Sequence, residues 1–351
     1  MAHPSIARFL ALVGTAALVA AACGGTAQPS PTTAPTGGAT AAPATAAPTQ
    51  AAVLTRPVEF VISTGPGGGS DQYARIWIGI MQKVGAPTVT VLPVNKEGGA
   101  GAVAFTYTFE KKGDPHYVMV TLNSFFTTTI TQKLPFKTTD FTPLANMALD
   151  PFFLWVNADS PWKNAQDVVN AAKEKSINVS GTGAKQEDEV LFRRIEKLAG
   201  TKPFNYIPAS GGGAVATALA GHQGGVEVTV NNPSEGVGLF QQNKLRPLCA
   251  FTPAPIKEGA FKDLVTCKSQ GLAIDDYYNL RSVVGPPGLT AAQTQYWADV
   301  FKKVFDSQDW KDFVTKNALV PEFKTGEDLK KLWAEYDKIH LDIATQNGWI
   351  Q

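Results

Sequence analysis

The residues best suited to chemistry in this chain are the backbone amides of glycine-rich turns. A short apolar run from Val58 passes through Ser63, Thr64, Gly65 and Pro66 into Gly67, Gly68, Gly69, Ser70 and Asp71, and an amphipathic stretch follows at once. A strand entering a helix through such a turn brings bare N–H groups to the helix N-terminus, where the positive end of the macrodipole favours an anion. The glycines carry no side chain to hold a ligand away from that backbone. Asp71 is placed to cap the helix or to touch the ligand, and the spacing allows both. The same layout recurs at Ser180, Gly181, Thr182 and Gly183, and again at Ser210, Gly211, Gly212 and Gly213, each before a helical pattern. Asn123 and Ser124 after one expected strand, and Asn231 and Asn232 after another, add neutral polar groups.

Two nucleotide signatures fail at these turns. No GxxxxGK followed by Ser or Thr is present, and no GxGxxG follows the first strand with an acidic residue at the required distance. A small anion is therefore expected. Catalysis needs a positioned base or nucleophile. The four histidines, His3, His116, His222 and His340, are scattered, without a GxSxG or HExxH arrangement. Binding without catalysis and without a cofactor is the expectation. The enzyme alternative is a secreted hydrolase using Ser70 or Ser210. No metal site is expected, because neither Cys249 nor Cys267 has a CxxC spacing or a nearby histidine.

These turns must be held by strands and helices in alternation. Short apolar runs at 58–63, 89–94, 117–122, 152–157, 177–181, 205–208, 226–231 and 245–251 read as strands. Tyr73, Ile76, Trp77, Ile80, Met81 and Val84 form one stripe on a helix, as do Trp297, Val300, Phe301, Val304 and Phe305, with Thr290 available as a cap. Both stripes are expected to be core. The alternation predicts an α/β fold of two lobes, each a mostly parallel sheet flanked by helices, with the ligand cleft between them. Lobe 1 is assigned to residues 54–156 plus 280–351 and lobe 2 to 157–279, with the chain crossing near 155–159 and 278–283.

Residues 1–22 carry a single cationic side chain, Arg8, and then an uncharged run, the layout of a secretory signal. The run ends Leu18-Val19-Ala20-Ala21-Ala22 before Cys23, which looks like a bacterial lipoprotein cleavage site with Cys23 as the lipidated residue. Ala20 stands where a larger aliphatic side chain is usual, so a plainly cleaved signal is the alternative. Residues 23–53 are nearly all Ala, Thr, Pro, Gly, Ser and Gln, too poor in apolar surface to order, and suit a tether. The expected location is outside the cytoplasm, on the outer face of the cytoplasmic membrane or in the periplasm, with membrane contact through the lipid alone. With 31 basic against 30 acidic residues the net charge is +1, which gives no field for nucleic acid. In an oxidising compartment Cys249 and Cys267 are candidates for a disulfide, the alternative being two buried thiols.

The sequence resembles the substrate-binding proteins of tripartite tricarboxylate transporters, the Bug-type receptors, over roughly residues 57 to 345. The likeness rests on Pro66 to Asp71 with Arg75, on Gly98-Gly99-Ala100-Gly101, on Pro143-Leu144-Ala145 leading into Phe153 to Trp162, on Gly181-Thr182-Gly183, on Gly221 to Val228, and on Lys244 to Leu248. It implies a periplasmic-binding-protein architecture of the type II kind. It further implies a monomer that closes on a mono-, di- or tricarboxylate and delivers it to one large and one small membrane subunit. A ligand-sensing receptor on the same fold is the other implied use. Carried over residue by residue, the proximal carboxylate would lie against Gly67 to Asp71, with Gly181 to Gly183 and Ser210 to Gly213 opposite. One departure is Gln186-Glu187-Asp188-Glu189, where relatives often have a polar stretch ending in histidine. These acids either complement a helix N-terminus or, facing the cleft, repel a polyanion.

Overall fold

The strand and helix order is that of two sheets joined by a chain that leaves the first, builds the second and returns. A computed structural model describes residues 53–274 and 277–350. The expected signal, Cys23 and the tether up to residue 52 lie outside the described residues. The first run is β1 (Val58–Ile62), α1 (Gly69–Val84), β2 (Val91–Asn95), α2 (Ala102–Phe109), β3 (Tyr117–Thr121), α3 (Ser124–Thr131) and β4 (Thr142–Asp150). The second comprises β5 (Phe153–Asn157), α4 (Ala165–Glu174), β6 (Asn178–Thr182), α5 (Glu187–Ala199), β7 (Asn205–Ala209), α6 (Gly212–Ala220), β8 (Val228–Thr229), α7 (Pro233–Gln241) and β9 (Leu245–Ala250). The return gives β10 (Asn279–Gly285), α8 (Ala291–Asp306), α9 (Gln308–Lys316), β11 (Val320–Lys324) and α10 (Gly326–Gln346).

The first sheet is ordered β11-β4-β10-β3-β1-β2 and the second β7-β6-β8-β5-β9. Both are mixed, which corrects the expectation of mostly parallel sheets. β1 runs parallel to β2 and β3, and β6 parallel to β7 and β8, as strand-helix-strand units require. The antiparallel pairings all involve β10, β11 or β5, the strands that carry the chain back to the first sheet or away from it. The chain changes sheets at Pro151 and Phe152, a few residues before the expected crossing, so β5 lies wholly in the second sheet.

Helices cover both faces of each sheet, which is why the strands read as apolar runs rather than alternations. Phe60 and Ile62 of β1 meet Tyr73, Trp77 and Met81 of α1 and Trp297 and Phe301 of α8. The opposite face, with Val61 and Met119, packs on Phe105, Phe125 and Trp333. The second sheet buries Leu154, Val156 and Val179 under α4 and α5, and Trp155 under Leu219 and Phe261. Val84, expected on the α1 stripe, is 37% exposed, because the helix closes there at Gly85 in a left-handed turn. Thr290 caps α8 as expected, its Oγ1 accepting the Gln293 N–H at 3.2 Å. The C-terminal α10 belongs to both halves: Leu329, Trp333 and Tyr336 lie in the core of the first sheet and Ile343 in that of the second.

Cys249 of β9 and Cys267 are joined in a disulfide that closes a loop with a sequence separation of 18. A cross-link over a loop of this length stabilises by about 3 kcal/mol, mainly by restricting the unfolded chain. Chemical denaturation of the Cys249→Ser, Cys267→Ser variant should show a loss of about 2–4 kcal/mol, and reduction of the native protein should move its midpoint toward that of the variant.

Candidate functional site

The seam between the sheets is built around one buried cation. Arg281, on β10, is 1% exposed. Its Nε and Nη2 donate to Asp150 Oδ2 at 2.9 and 2.6 Å, and the Tyr73 hydroxyl donates to the same oxygen at 2.7 Å. The guanidinium also sits 4.3 Å from the centre of the Tyr73 ring. Its Nη2 reaches across the seam to Asn232 Oδ1 at 3.1 Å, and Asn232 Nδ2 donates to the Pro151 carbonyl at 2.8 Å. Asn123 ties β3 to β10, donating its side-chain amide to Tyr278 O and accepting the Leu280 N–H.

The first and third glycine turns face each other across the seam at backbone range. A Cβ on Gly211 would stand 3.5 Å from Gly68 Cα, and one on Gly213 would stand 3.0 Å from the Gly67 carbonyl. At Gly212 a Cβ would fall 1.9 Å from the Glu235 carboxyl carbon. Glycine here serves the approach of two chain segments. Asp71 braces the first turn from within: its carboxylate accepts the Gly67 N–H at 2.9 Å and bonds Arg75 and Asn95. Those bonds and the Arg75 charge hold its carboxyl below the usual range, although burial opposes them.

Above the charged pair lies an outer cavity of about 240 Å³. Ser63, Thr64, Ala100, Gly101 and Ser124 line it from one side, and Thr182, Gly183, Gln186 and Ser210 from the other. It narrows past Thr64, Leu122 and Thr182 into an inner chamber of about 10 Å³, walled by Gly69, Ser70, Glu187, Asp188, Gly212, Asn232, Glu235, Asn279 and Arg281. The first residues of α1, α3, α5 and α6 reach one chamber or the other, so several helix beginnings from both sheets converge on the same space. Ser63 Oγ, Thr64 Oγ1, Ser70 Oγ, Gln186 Oε1 and Glu187 Oε2 are buried there without a hydrogen-bond partner. A larger hollow of about 630 Å³ between residues 252–258 and 314–321 is walled mainly by Pro253, Pro255, Ile256 and Leu319 and holds none of these unpartnered atoms.

The acids of α5 are held in a dry setting. Glu187 and Asp188 are each 4% exposed. Burial pushes Glu187 up to about 7, and burial together with the neighbouring Glu187 and Glu235 charges pushes Asp188 well above the carboxylate range. Glu235 is raised by burial, against the pull of Arg281. Asp188 Oδ2 accepts the Thr182 N–H at 2.6 Å, and Glu235 Oε2 bonds Asn231 Nδ2 at 3.2 Å and the Asn232 N–H at 3.3 Å.

Of the residues expected from sequence, Gly69, Ser70, Ser124, Thr182, Gly183, Ser210, Gly212 and Asn232 line the two chambers. Gly67, Gly68, Asp71, Asn123, Gly181, Gly211 and Asn231 stand behind them and shape the turns. Arg281 went unread in the sequence because it sits in an apolar strand with no motif around it, whereas Glu235 closes an Asn232-Pro233-Ser234-Glu235 capping box that marks the start of α7 and could have found it. Ser63 and Thr64 adjoin the first glycine turn and could have been taken with it. None of the described histidines lines either chamber. His116 is bonded to Asp114 and Thr55, and His340 to Tyr277 and Tyr336.

Two helix-clad sheets with a polar cavity in their seam define the class of two-lobed, periplasmic-type solute-binding proteins. Within it the chain belongs to the tripartite tricarboxylate transporter family receptors, whose family model matches residues 75–347. It is 26% identical over 303 residues to the UPF0065 protein in gbd 5'region of Cupriavidus necator, covering 84% of this chain and 88% of that one. Among solved structures it is similar to R. palustris Rpa4515 with adipate, with a TM-score of 0.76 at 18% identity over 84% of this chain and 98% of the other. It is also similar to MatC from Rhodopseudomonas palustris with bound malate, with a TM-score of 0.71 at 19% identity over 82% and 98% of the two chains.

Two outcomes follow from the seam. Arg281→Met strands a buried Asp150 carboxylate and should cost about 3–5 kcal/mol in urea titration, part of it recovered by adding Asp150→Asn. Glu187 is raised in the fold, so the native protein holds its proton where the unfolded chain has lost it. Its contribution is full below the ordinary carboxylate range and is lost as pH rises to about 7. The stability of Glu187→Gln relative to the native chain should therefore increase over that interval and level off above it, as followed by thermal melts in the absence of ligand.

Proposed function

We propose that this protein is an extracytoplasmic receptor that captures a small organic carboxylate between two lobes and delivers it to the large and small membrane subunits of a tripartite transporter. The observation that carries the reading is the convergence of helix beginnings from both sheets on a cavity edged with unpartnered hydroxyls. Such a cradle offers N–H dipoles and O–H donors to an anion, the one cationic wall residue, Arg281, being already paired with Asp150. Adipate and malate in the related structures are carboxylates of a size that suits about 240 Å³. Ser70 and Ser210 have no histidine beside them at the chambers, which favours reversible capture over hydrolysis.

On this reading the expected lobe bounds shift so that β5 joins lobe 2 and the whole of β10 joins lobe 1, which then comprises residues 54–151 and 279–351, and the glycine turns are the surfaces that meet on closure. Cys23 carries the lipid and residues 23–53 form the tether that holds the receptor, a monomer, at the outer face of the membrane.

Saturating ligand stabilises a folded receptor by mass action, by about 2.7 kcal/mol at a hundredfold excess over Kd. A thermal-shift screen against carboxylates should give at least one clear upward shift, weakened by Ser63→Ala with Thr64→Val. No shift with any carboxylate would sink the reading. Gly213→Leu, which sets a side chain against the Gly67 carbonyl, should lower affinity at least tenfold by calorimetry while leaving the unliganded melting temperature within a few degrees, because it opposes closure and leaves each core intact. Delivery is checked by transport in vesicles holding the large and small membrane subunits of a tripartite transporter.

A further inference from the structure

We propose that the inner chamber is a subsite for a protonated amine, so that the ligand is a short amino carboxylic acid with its carboxylate in the outer cavity and its ammonium facing Glu187, Asp188 and Glu235. The proposal rests on the carboxylate-receptor reading above and narrows it.

The charge inventory around the chamber is lopsided. Arg281 is its sole cationic wall residue, and that charge is already matched by Asp150 through two hydrogen bonds. Three acids remain: Glu187 and Asp188 from α5 and Glu235 from α7. The other elements packed around it contribute Thr64, Ser70, Thr182, Asn232 and Asn279, all neutral, and the Tyr206 hydroxyl next to Asp188 bonds the Gly183 carbonyl instead. At the outer cavity the charged wall residue is another acid, Glu97. A second carboxylate entering this water-poor space would hold these acids in the protonated form toward which burial already pushes them, whereas a cation would favour their ionisation.

The atoms left without partners fit an all-donor group. Glu187 Oε2, Ser70 Oγ and Thr64 Oγ1 are buried, unpartnered and part of the chamber wall. An ammonium has three donors and no acceptor, so it can serve a carboxylate and two hydroxyls at once. The chamber, at about 10 Å³, has room for one water-sized group, which is the size of an ammonium and smaller than a carboxylate. Among the described residues no group of three or more His, Cys, Asp or Glu is arranged to hold a metal ion. Thr64, Leu122 and Thr182 border both chambers, so little more than a side chain's width separates the two ends of the ligand.

Burial holds Glu187 at about 7 against the pull of backbone N–H groups and Arg281, with its Oε2 left unpartnered; an arriving ammonium favours its ionised form, and binding then releases a proton. Calorimetry on the purified full chain would compare glycine, β-alanine and γ-aminobutyrate with malonate, succinate and glutarate at pH 7.5 and pH 5.5. The expected result is at least one amino acid binding tenfold or more tightly than the dicarboxylate of similar length at pH 7.5. Its affinity should fall at pH 5.5, and its heat should change with the ionisation enthalpy of the buffer. Glu187→Gln should remove at least tenfold of that affinity and leave dicarboxylate binding equal or better; Glu235→Gln serves the same purpose if the first variant does not fold. Tighter binding of a dicarboxylate at pH 7.5, or amino-acid affinity unmoved by both variants, overturns the subsite while the receptor reading stands. If neither these compounds nor the wider carboxylate screen binds, the receptor reading itself fails, and the subsite with it.

Discussion

The salt bridge between Arg281 and Asp150 is the constraint on which the rest of the molecule depends. A charge pair at 1% and 0% exposure is tolerable only when neighbouring polar groups support it, and Tyr73 and Asn232 do so, although Asp150 Oδ1 is left without a partner. Tyr73 gives its hydroxyl to the carboxylate and its ring face to the guanidinium, so α1 is fixed on β4 and β10 together. Asn232 takes the remaining reach of Arg281 while holding the Pro151 carbonyl, which ties the second sheet to the residues where the chain leaves the first. A pair that carries no ligand thereby fixes the spacing of the glycine turns.

That spacing also sets buried acids beside several helix beginnings. The helix dipoles directed at the chambers favour negative charge, and α5 places Glu187, Asp188 and Glu189 in its first turn, where the dipole is strongest. Asp188 is further supported by the Thr182 amide, and Glu189 by Arg193 and the Lys185 N–H. Glu187 alone has an oxygen directed into the chamber with no partner. Neighbours on one helix thus differ in role because only one points where the two sheets meet.

Much of this was legible in the sequence, and the failures have physical causes. The glycine turns were read as ligand contacts, yet Gly211 and Gly213 stand where one turn meets another, an added Cβ falling 3.5 Å from Gly68 Cα and 3.0 Å from the Gly67 carbonyl. A sequence shows that side chains are missing but not what approaches in their place. β4 and β11 were missed because β4 is interrupted by Pro143 and Asn146, and β11 is a short edge strand with Pro321 in it. Parallel pairing was over-read, since alternation of strands and helices says nothing of the strands that change sheets. Arg281 was invisible because its partners, Asp150 and Asn232, are distant in the chain, and nothing local marks an arginine in a strand as buried.

The C-terminal helix sets a limit on how such a molecule opens. Trp333 and Tyr336 are embedded among the aromatics of one core, while His340 bonds Tyr277, whose ring stacks on Phe152 in the other. Prising the halves apart at that helix would strip oil-like surface from both and strand a neutral imidazole. Parting them at the facing turns wets little more than peptide groups and hydroxyls, which water serves as well as protein does. Any parting of the two halves therefore costs least on the glycine side and most at α10, which acts as a ligament between the cores.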